Sequence, residues 1–333
     1  YFDTAYMYHE FQSEKIVRAA LVERHDRSAF TLATKLPTMF LKAEGDQERI
    51  FAEQLEKCGV DYFDYYLLHN LNVANYRKVC RFDSFAFAAR MKAEGKIRHV
   101  GFSFHDSAEL LDEILTAHPE TEFVQLQINY MDWENESIQS RRCYEMARRH
   151  GKPVVVMEPV KGGTLARLPE EAEQRFRAVR PELSPASWAI RYAAGLDGVM
   201  MVLSGMSSME QLRDNISYMQ HFEPLNAEER AAVEDAVGII NRSIAVPCTA
   251  CRYCVDGCPK QIAIPEYFAL YNNAEQSLNK GFSVQTVYYA NLAQTHGRAS
   301  DCIGCRKCEK SCPQHLPIVE HLRQVAARFD KEE

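Results

Sequence analysis

The 333-residue sequence predicts an α/β fold, a (β/α)8 barrel of the TIM type, followed by a smaller helical domain. Short apolar strands alternate with helical segments to about residue 240, which is typical of a parallel sheet buried on both faces. The length accommodates a barrel of about 250 residues and a second domain of about 80 to 90. Eight of the eleven cysteines follow residue 247 in two runs of equal spacing, which sets the tail apart.

The predicted elements follow one another regularly along the chain. The predicted strands cover 1–3, 30–36, 62–69, 99–104, 123–128, 153–158 and 199–203. Helical periodicity covers 13–21, 46–58, parts of 70–94, 107–117, 136–150, 186–194, 209–219 and 227–240. In the tail we expect a helix over 266–278 and a final helix whose apolar stripe, Ile318, Leu322, Val325 and Phe329, packs against the domain.

The strand count falls one short of a closed barrel. Seven strand ends can be identified: Asp3, Lys35, His69, Ser103, Gln125, Glu158 and Ser204. A (β/α)8 barrel needs eight strands, and the sequence opens on the last residues of a strand. We therefore expect that the first βα unit is missing from this sequence. The predicted domains are a barrel over 1–240 and a second domain over 241–333.

The two cysteine runs predict two [4Fe-4S] clusters. Each run reads C-x-x-C-x-x-C-x-x-x-C-P: Cys248, Cys251, Cys254 and Cys258 before Pro259, then Cys302, Cys305, Cys308 and Cys312 before Pro313. This spacing brings three thiolates into one loop and leaves the fourth for the other cluster, as in two-cluster ferredoxins. We expect Cys258 to join the second set of three, and Cys312 the first.

Two other uses of the cysteines fit less well. Structural zinc usually takes two separated cysteine pairs, or cysteine with histidine. A disulphide framework conflicts with the absence of a secretory signal and with the single, scattered Cys58, Cys80 and Cys143.

Thiolate clusters need a reducing compartment, so we expect a cytoplasmic protein. The more than forty residues between the runs are typical of an α-helical ferredoxin-like domain.

The charge and the hydropathy of the sequence argue against two classes of partner, nucleic acids and membranes. The net charge is -7, divided as -9 for 1–240 and +2 for 241–333, and no basic stripe accompanies it, so we expect no nucleic-acid binding. No apolar run approaches the roughly 20 residues of a membrane span, so we expect no membrane insertion.

Four residues at or just after the first three strand ends form a catalytic constellation. Tyrosine has a pKa of about 10, which makes it a poor acid near neutral pH. An ammonium group, here Lys35, stabilises the phenolate, and a carboxylate, here Asp3, keeps that lysine charged. Tyr8 would then act as the acid, with His69 holding a substrate carbonyl oxygen beside it.

These segments resemble a known family. Asp3-Thr4-Ala5-Tyr6-Met7-Tyr8, Ala33-Thr34-Lys35 and Leu67-Leu68-His69 resemble the catalytic tetrad of the aldo/keto reductases, and the whole chain resembles the ferredoxin-fused branch of that superfamily. The resemblance implies hydride transfer between NADPH or NADH and a carbonyl or alcohol, with Tyr8 as general acid. It also implies the following nicotinamide cofactor contacts: Ser103, Gln125, Ser204, Gly205, Met206, Gln211 and Asn215.

The sequence departs from the family at three positions. Phe104 stands where the family usually has Asn, Met157 where many members stack an aromatic ring on the nicotinamide, and Gln211 where many have an arginine for a 2'-phosphate. Arg213 lies two positions further on, on a different helical face. The sequence therefore leaves NADPH and NADH both open. Gly162-Gly163 is either a phosphate cradle or a plain tight turn.

The leading functional hypothesis is an NAD(P)H-linked aldo/keto oxidoreductase with two clusters for electron transfer. Nicotinamides exchange hydride whereas clusters pass single electrons, and a flavin normally stands between them, although no flavin motif is visible. One alternative is an electron-transfer subunit with an altered barrel, which passes electrons between the clusters, a flavin and a redox partner protein. A second alternative is an ordinary reductase whose clusters are structural.

Overall fold

The computed structural model of the protein describes residues 1–136, 138–242, 245–248, 250–276, 283–312 and 314–330. The chain forms two compact units. The first comprises Tyr1–Gln127, Arg142–Met157 and Gly198–Leu203, and the second comprises Ile128–Arg141, Glu158–Asp197 and Ser204–Glu333. The predicted domain boundary at residue 240 stays a prediction. No described helix has both the length and the apolar character that crossing a membrane requires.

The first unit contains a seven-stranded sheet in which every neighbouring pair is parallel and the strands follow chain order. The strands are β1 (Phe2–Asp3), β2 (Leu32–Leu36), β3 (Phe63–Leu71), β4 (Ile97–Phe104), β5 (Phe123–Gln127), β6 (Val154–Met157) and β7 (Val199–Val202). The fold is that of a (β/α)8 barrel with seven of its eight strands, so the predicted fold class is confirmed. Strand bounds differ from the prediction by two residues or fewer.

The central strands are buried on both faces, which explains their apolar composition. All five residues of β2 and of β5 are buried. Gly101 on β4 shows how closely the strands approach, because a Cβ atom there would lie 2.5 Å from the carbonyl oxygen of Phe123 and 2.7 Å from its ring. Side chains can therefore reach a cavity only from the strand ends and the loops that follow them.

Seven helices accompany the strands: α1 (Tyr8–Phe11), α2 (Ser13–Val17), α3 (Asp46–Cys58), α4 (Val73–Arg81), α5 (Ser84–Ala93), α6 (Ala108–Ala117) and α7 (Ser140–Arg149). The predicted helix 46–58 is confirmed with the same bounds. A π-helical turn, Arg18–Val22, extends α2. Helix α1 is irregular, since His9 and Glu10 have positive φ angles.

The remaining helices are α8 (Glu170–Val179), α9 (Pro185–Ala194), α10 (Met209–Met219), α11 (Ala227–Asn241), α12 (Ile264–Gln276), α13 (Val284–Leu292), α14 (Lys307–Ser311) and α15 (Ile318–Phe329). Helix α10 has its predicted bounds. Helix α12 begins two residues before the predicted 266–278, whose end, Leu278, lies outside the described residues, as does Pro313. The sequence analysis missed α8. Gly162 and Gly163 both have positive φ angles in the turn Lys161–Ala166.

Two apolar cores are formed by described residues of the second unit. One packs α8, α9 and α11 together, with the ring of Trp188 stacked 4.2 Å from that of Phe176. The other belongs to the cysteine-rich tail and includes Ile138, which lies in the loop between β5 and α7. The stripe Ile318, Leu322, Val325 and Phe329 on α15 is buried in this core, which confirms that it serves packing.

Candidate active site and cluster sites

An ion pair between adjacent strands forms the centre of the first site. Lys35 lies in β2, where its side chain is fully buried, and Asp3 ends β1. The Lys35 Nζ donates to Asp3 Oδ1 at 2.5 Å and to the carbonyl oxygen of Thr4 at 2.8 Å. The two contacts fix the ammonium group at the end of the sheet where parallel strands of a barrel carry their functional residues.

The pKa of this lysine reflects two opposing effects. Burial lowers the pKa of Lys35, whereas the Asp3 carboxylate and the Tyr8 hydroxyl raise it, and the result lies above the ordinary value. Burial raises the pKa of Asp3, and the Lys35 ammonium opposes this rise. Lys35 therefore stays charged at neutral pH, although no solvent reaches it.

Tyr8 and His69 complete the constellation. The Lys35 Nζ lies 5.0 Å from the centre of the Tyr8 ring, and the His69 ring lies 5.8 Å from it in an edge-to-face arrangement. Tyr8 is 37% exposed, whereas His69 is only 8% exposed. The structure thus brings together all four residues predicted from the sequence, and the Tyr8 phenol is the most exposed of them.

The electrostatics of His69 suit a neutral hydrogen-bonding group. Burial, the Lys35 ammonium and His105 together hold the pKa of His69 well below its usual value. No hydrogen-bond partner for the buried His69 Nδ1 lies among the described residues. A neutral imidazole carries one N–H and one acceptor nitrogen, so it can orient a polar ligand atom without adding charge.

Ser103 and Gln125 lie opposite each other on β4 and β5. The Ser103 Oγ accepts a hydrogen bond from the backbone N–H of Asn70 at 2.8 Å, while the Gln125 Nε2 lies 3.5 Å from the sulphur of Met157. The buried Gln125 Oε1 has no partner among the described residues. Buried amide oxygens are nearly always paired in native proteins, so this atom can accept a hydrogen bond from a ligand.

The remaining predicted cofactor contacts lie in the second unit, in the loop before α10 and in its first turns. Ser204, Gly205 and Met206 belong to the loop. The Gln211 Oε1 accepts a hydrogen bond from the backbone N–H of Ser207 at 2.7 Å, and the Asn215 Nδ2 donates to Ser204 Oγ at 2.7 Å. Both side chains of α10 therefore hold the loop that precedes the helix.

The cysteines gather around two cavities. Cys248, Cys251, Cys254 and Cys312 line one, and Cys258, Cys302, Cys305 and Cys308 line the other. Each cavity thus combines three thiols of one run with the fourth thiol of the other. No group of three or more His, Cys, Asp or Glu side chains arranged to hold a metal ion is found in the described part of the chain. The donor set around each cavity, four thiols, suits a cluster that fills the space between them.

Another buried lysine–aspartate pair, Lys161 with Asp132, was not predicted from the sequence. The Lys161 Nζ donates to Asp132 Oδ1 at 2.7 Å and also to Asn273 Oδ1. The Asn273 Nδ2 donates to Asp132 Oδ1 at 2.6 Å, the Gln285 Nε2 donates to Asn273 Oδ1 at 2.6 Å, and the Asn129 Nδ2 donates to Asp132 Oδ2 at 2.7 Å. These five residues, the enclosed network, connect the loops after β5 and β6 to helices α12 and α13. No sequence motif indicates it.

The sequence model described as the Aldo/keto reductase family matches residues 1–237, which include the Asp3, Tyr8, Lys35 and His69 site. The chain belongs to the aldo/keto reductase family. Residues 247–323 match a 4Fe-4S dicluster domain. The chain therefore combines an aldo/keto reductase domain with a 4Fe-4S dicluster domain.

Solved aldo/keto reductases share the fold. The aldo-keto reductase AKR11C1 of Bacillus halodurans is 24% identical, with a TM-score of 0.56 over 70% of this chain and 81% of its own. The aldo-keto reductase of Klebsiella pneumoniae, solved in complex with NADPH, is 21% identical, with a TM-score of 0.54 over 70% of this chain and 78% of its own.

Curated relatives match over shorter stretches. An uncharacterized oxidoreductase of Schizosaccharomyces pombe is 28% identical over 166 residues, 49% of this chain and 49% of the relative. The acetyl-CoA decarbonylase/synthase complex subunit alpha 1 of Methanosarcina acetivorans is 28% identical over 86 residues, 26% of this chain. The chain spans 9% of that subunit's length and 12% of its Methanosarcina barkeri counterpart.

Proposed function

We propose that the protein transfers hydride between NADPH or NADH and a small carbonyl or alcohol substrate. The observation that carries this proposal is the arrangement of Tyr8, a partly exposed phenol beside the charged Lys35 and the neutral His69. The raised pKa of Lys35 and the lowered pKa of His69 favour a charged lysine and an uncharged imidazole beside the phenol. A phenol needs a neighbouring cation to give up its proton near neutral pH, and an uncharged imidazole can orient a carbonyl oxygen.

The proposed mechanism assigns one task to each of the four residues. The His69 imidazole orients the carbonyl oxygen of the substrate next to the Tyr8 hydroxyl. Tyr8 donates its proton to that oxygen, and Lys35 stabilises the phenolate that remains. Asp3 holds the Lys35 ammonium in place through the 2.5 Å ion pair. The nicotinamide, when bound, supplies the hydride.

The nicotinamide end of the cofactor is assigned to Ser103 and Gln125. The Gln125 Oε1, which has no hydrogen-bond partner in the described part of the chain, can accept a hydrogen bond from a carboxamide N–H. Ser204, Gly205, Met206, Gln211 and Asn215 are proposed for the adenosine phosphate end, because the start of a helix favours anions. Gln211 carries no charge, so the proposal includes NADH as well as NADPH.

The eight cysteines are proposed to hold two [4Fe-4S] clusters. The four thiols around each cavity supply the ligand type and number that such a cluster takes. Cys312 completes the set of the first run, and Cys258 completes that of the second. When bound, the clusters supply one-electron transfer, and they imply a reducing compartment such as the cytoplasm.

A second candidate function is one-electron transfer to or from a redox partner protein. Two observations favour it: the two thiol sets, and the partial similarity to subunits of a multi-subunit complex in two Methanosarcina species. In this function the barrel residues would hold a cofactor without turning over a carbonyl. The two candidates differ in what Tyr8 does.

The test compares two tyrosines of the same segment. Tyr8→Phe removes the proposed acid, and Tyr6→Phe removes a hydroxyl that donates to Glu53 at 3.0 Å outside the site. The assay follows anaerobic NADPH or NADH oxidation with a panel of aldehydes and ketones, at equal iron content. We expect Tyr8→Phe to lose about 10²- to 10⁴-fold in turnover and Tyr6→Phe to remain active. Equal turnover in both variants would contradict the carbonyl function.

A further inference from the structure

The second unit contains a cavity that none of the assignments above uses. Its volume is about 720 Å³, within the range of small-molecule sites. Helices α11 and α12, the loop after β5 and the loop that carries Cys248 form its walls. The volume exceeds what a few water molecules need, so the cavity can accept an organic ligand.

One wall of the cavity is aromatic. The Tyr192 ring lies 6.0 Å from the Tyr130 ring and 6.0 Å from the Trp133 ring, nearly perpendicular to both. Tyr130 is 4% exposed, and its buried hydroxyl has no hydrogen-bond partner among the described residues. Aromatic walls favour planar ring ligands.

The charges of the other walls balance. Arg230 and Glu234 lie on α11, and Glu134 forms a bidentate ion pair with Arg141 at 2.9 and 3.0 Å. Asn273 is 4% exposed and belongs to the enclosed network, which holds its amide in place. A ligand whose recognised part is an uncharged ring with polar edges therefore fits this cavity better than a free anion.

Cys248 connects the cavity to the first cluster site. It lines both this cavity and the cavity that it shares with Cys251, Cys254 and Cys312. Pro265 also lines both cavities, so Cys248 and Pro265 would lie between a ligand here and the proposed first cluster. Proximity of this kind suits a ligand that exchanges electrons with the cluster.

We propose that this cavity binds the isoalloxazine ring of a flavin. The ring is planar and uncharged, and it can exchange electrons singly with clusters and in pairs with other donors. In the proposed step one reduced flavin gives one electron to each of the two clusters and releases two protons, which leaves one oxidised flavin and two reduced clusters. This electron-transfer step rests on the proposed function, because it needs both clusters. Binding of the flavin ring to the cavity does not depend on the proposed function.

The experiment measures flavin binding directly. The purified protein with its clusters is titrated with riboflavin, FMN and FAD, and quenching of flavin fluorescence is recorded. We expect dissociation constants of about 1 to 100 µM. Trp133→Leu removes an aromatic wall, and Ala269→Trp fills the cavity from α12. Each should weaken binding about tenfold or more, as expected for lost stacking or lost volume.

A matched control and a separate readout make the outcomes distinct. Phe222→Leu changes an exposed aromatic residue of the second unit that does not line the cavity, and its affinity should equal that of the unchanged protein. Circular dichroism and iron content show that each variant is folded and loaded. The proposal would be overturned if no flavin is quenched, or if Trp133→Leu and Ala269→Trp both bind flavin as tightly as the unchanged protein does. Carbonyl turnover measured on the same samples would still test the proposed function.

Discussion

Among the described residues, two buried lysine–aspartate pairs have different surroundings. Lys35 and Asp3 lie at the ends of neighbouring strands, and Asp3 keeps 15% of its side-chain exposure. Lys161 and Asp132 lie in loops of the second unit, and Asp132 has no exposure at all. The first pair adjoins a partly exposed phenol, whereas amide side chains hold the second. A lysine–aspartate pair can thus support chemistry where neighbouring polar atoms can still bind a ligand. It can support stability where the neighbouring polar atoms are already hydrogen-bonded to one another.

The difference is visible in the unpaired atoms. Beside the first pair, His69 Nδ1 is buried without a described partner, and so is Asp3 Oδ2. In the enclosed network, both oxygens of Asp132 accept hydrogen bonds. Unsatisfied buried polar atoms cost free energy and persist where function requires them, whereas a fully paired network makes the structure rigid.

The largest expected effect on stability is at Lys161. Lys161→Met leaves the Asp132 carboxylate buried without its counter-ion, and breaking a buried pair in this way costs about 3 to 5 kcal/mol. Urea unfolding, followed by circular dichroism, measures the loss. The double variant Asp132→Asn with Lys161→Met removes both charges and should recover part of it. A loss below 1 kcal/mol in Lys161→Met would show that the network is not stabilising.

The next effect is a pH dependence of the free energy of unfolding, which we expect from His69 beside the first pair. The pKa of His69 in the folded protein lies well below its ordinary value because of burial, Lys35 and His105. As the pH falls, His69 therefore takes up a proton in the unfolded chain before it does so in the folded protein. The stability that depends on a neutral His69 is fully present above about pH 6.5. Below that pH the free energy of unfolding falls by up to about 1.4 kcal/mol per pH unit. Unfolding free energies at about pH 7 and pH 5 measure the slope.

His69→Gln is the control for this pH dependence. It should reduce the slope, whereas Gln285→Leu should leave the slope unchanged, because it changes no titratable side chain and keeps both charges of the Lys161–Asp132 pair. The same slope in the unchanged protein and in His69→Gln would contradict the assignment of a neutral, buried His69.

The smallest effect lies at the edge of the enclosed network. The Gln285 Nε2 donates a hydrogen bond to Asn273 Oδ1, which also accepts one from the Lys161 Nζ. Gln285→Leu should therefore cost about 1 kcal/mol, the typical net value of one hydrogen bond. If urea unfolding shows a loss as large as that of Lys161→Met, the network depends on its periphery as much as on its ion pair.

The first pair could be predicted from sequence and the second could not, for a physical reason. Asp3 and Lys35 end consecutive parallel strands, and such strand ends meet at one edge of the sheet. Asp132 and Asn273 are 141 residues apart, and Lys161 and Asn273 are 112 apart. Their contact depends on how loops and tail helices pack, which leaves no periodic signal. The thiol sets were predictable because three ligands lie within one loop.

The elements of the fold also differ in how clear a local signal they leave in the sequence. Strands and the helices α3 and α10 could be predicted closely because their apolar period and their end signals, such as Gly59 after α3, are local. Helix α8 was missed, although it begins with acidic residues after Pro169 and buries only Ala172 and Phe176. Its ten residues carry too few apolar positions for a clear period.

The most direct test of the account is the carbonyl turnover of Lys35→Met and Lys161→Met, compared at equal folded fraction and equal iron content. We expect Lys35→Met to lose about 10²- to 10⁴-fold in turnover, because the Tyr8 phenolate loses its cation. The turnover of Lys161→Met should stay within a few fold of that of the unchanged protein. Equal losses in the two variants, or full activity in Lys35→Met, would contradict the claim that the strand-end pair serves catalysis and the enclosed pair serves stability.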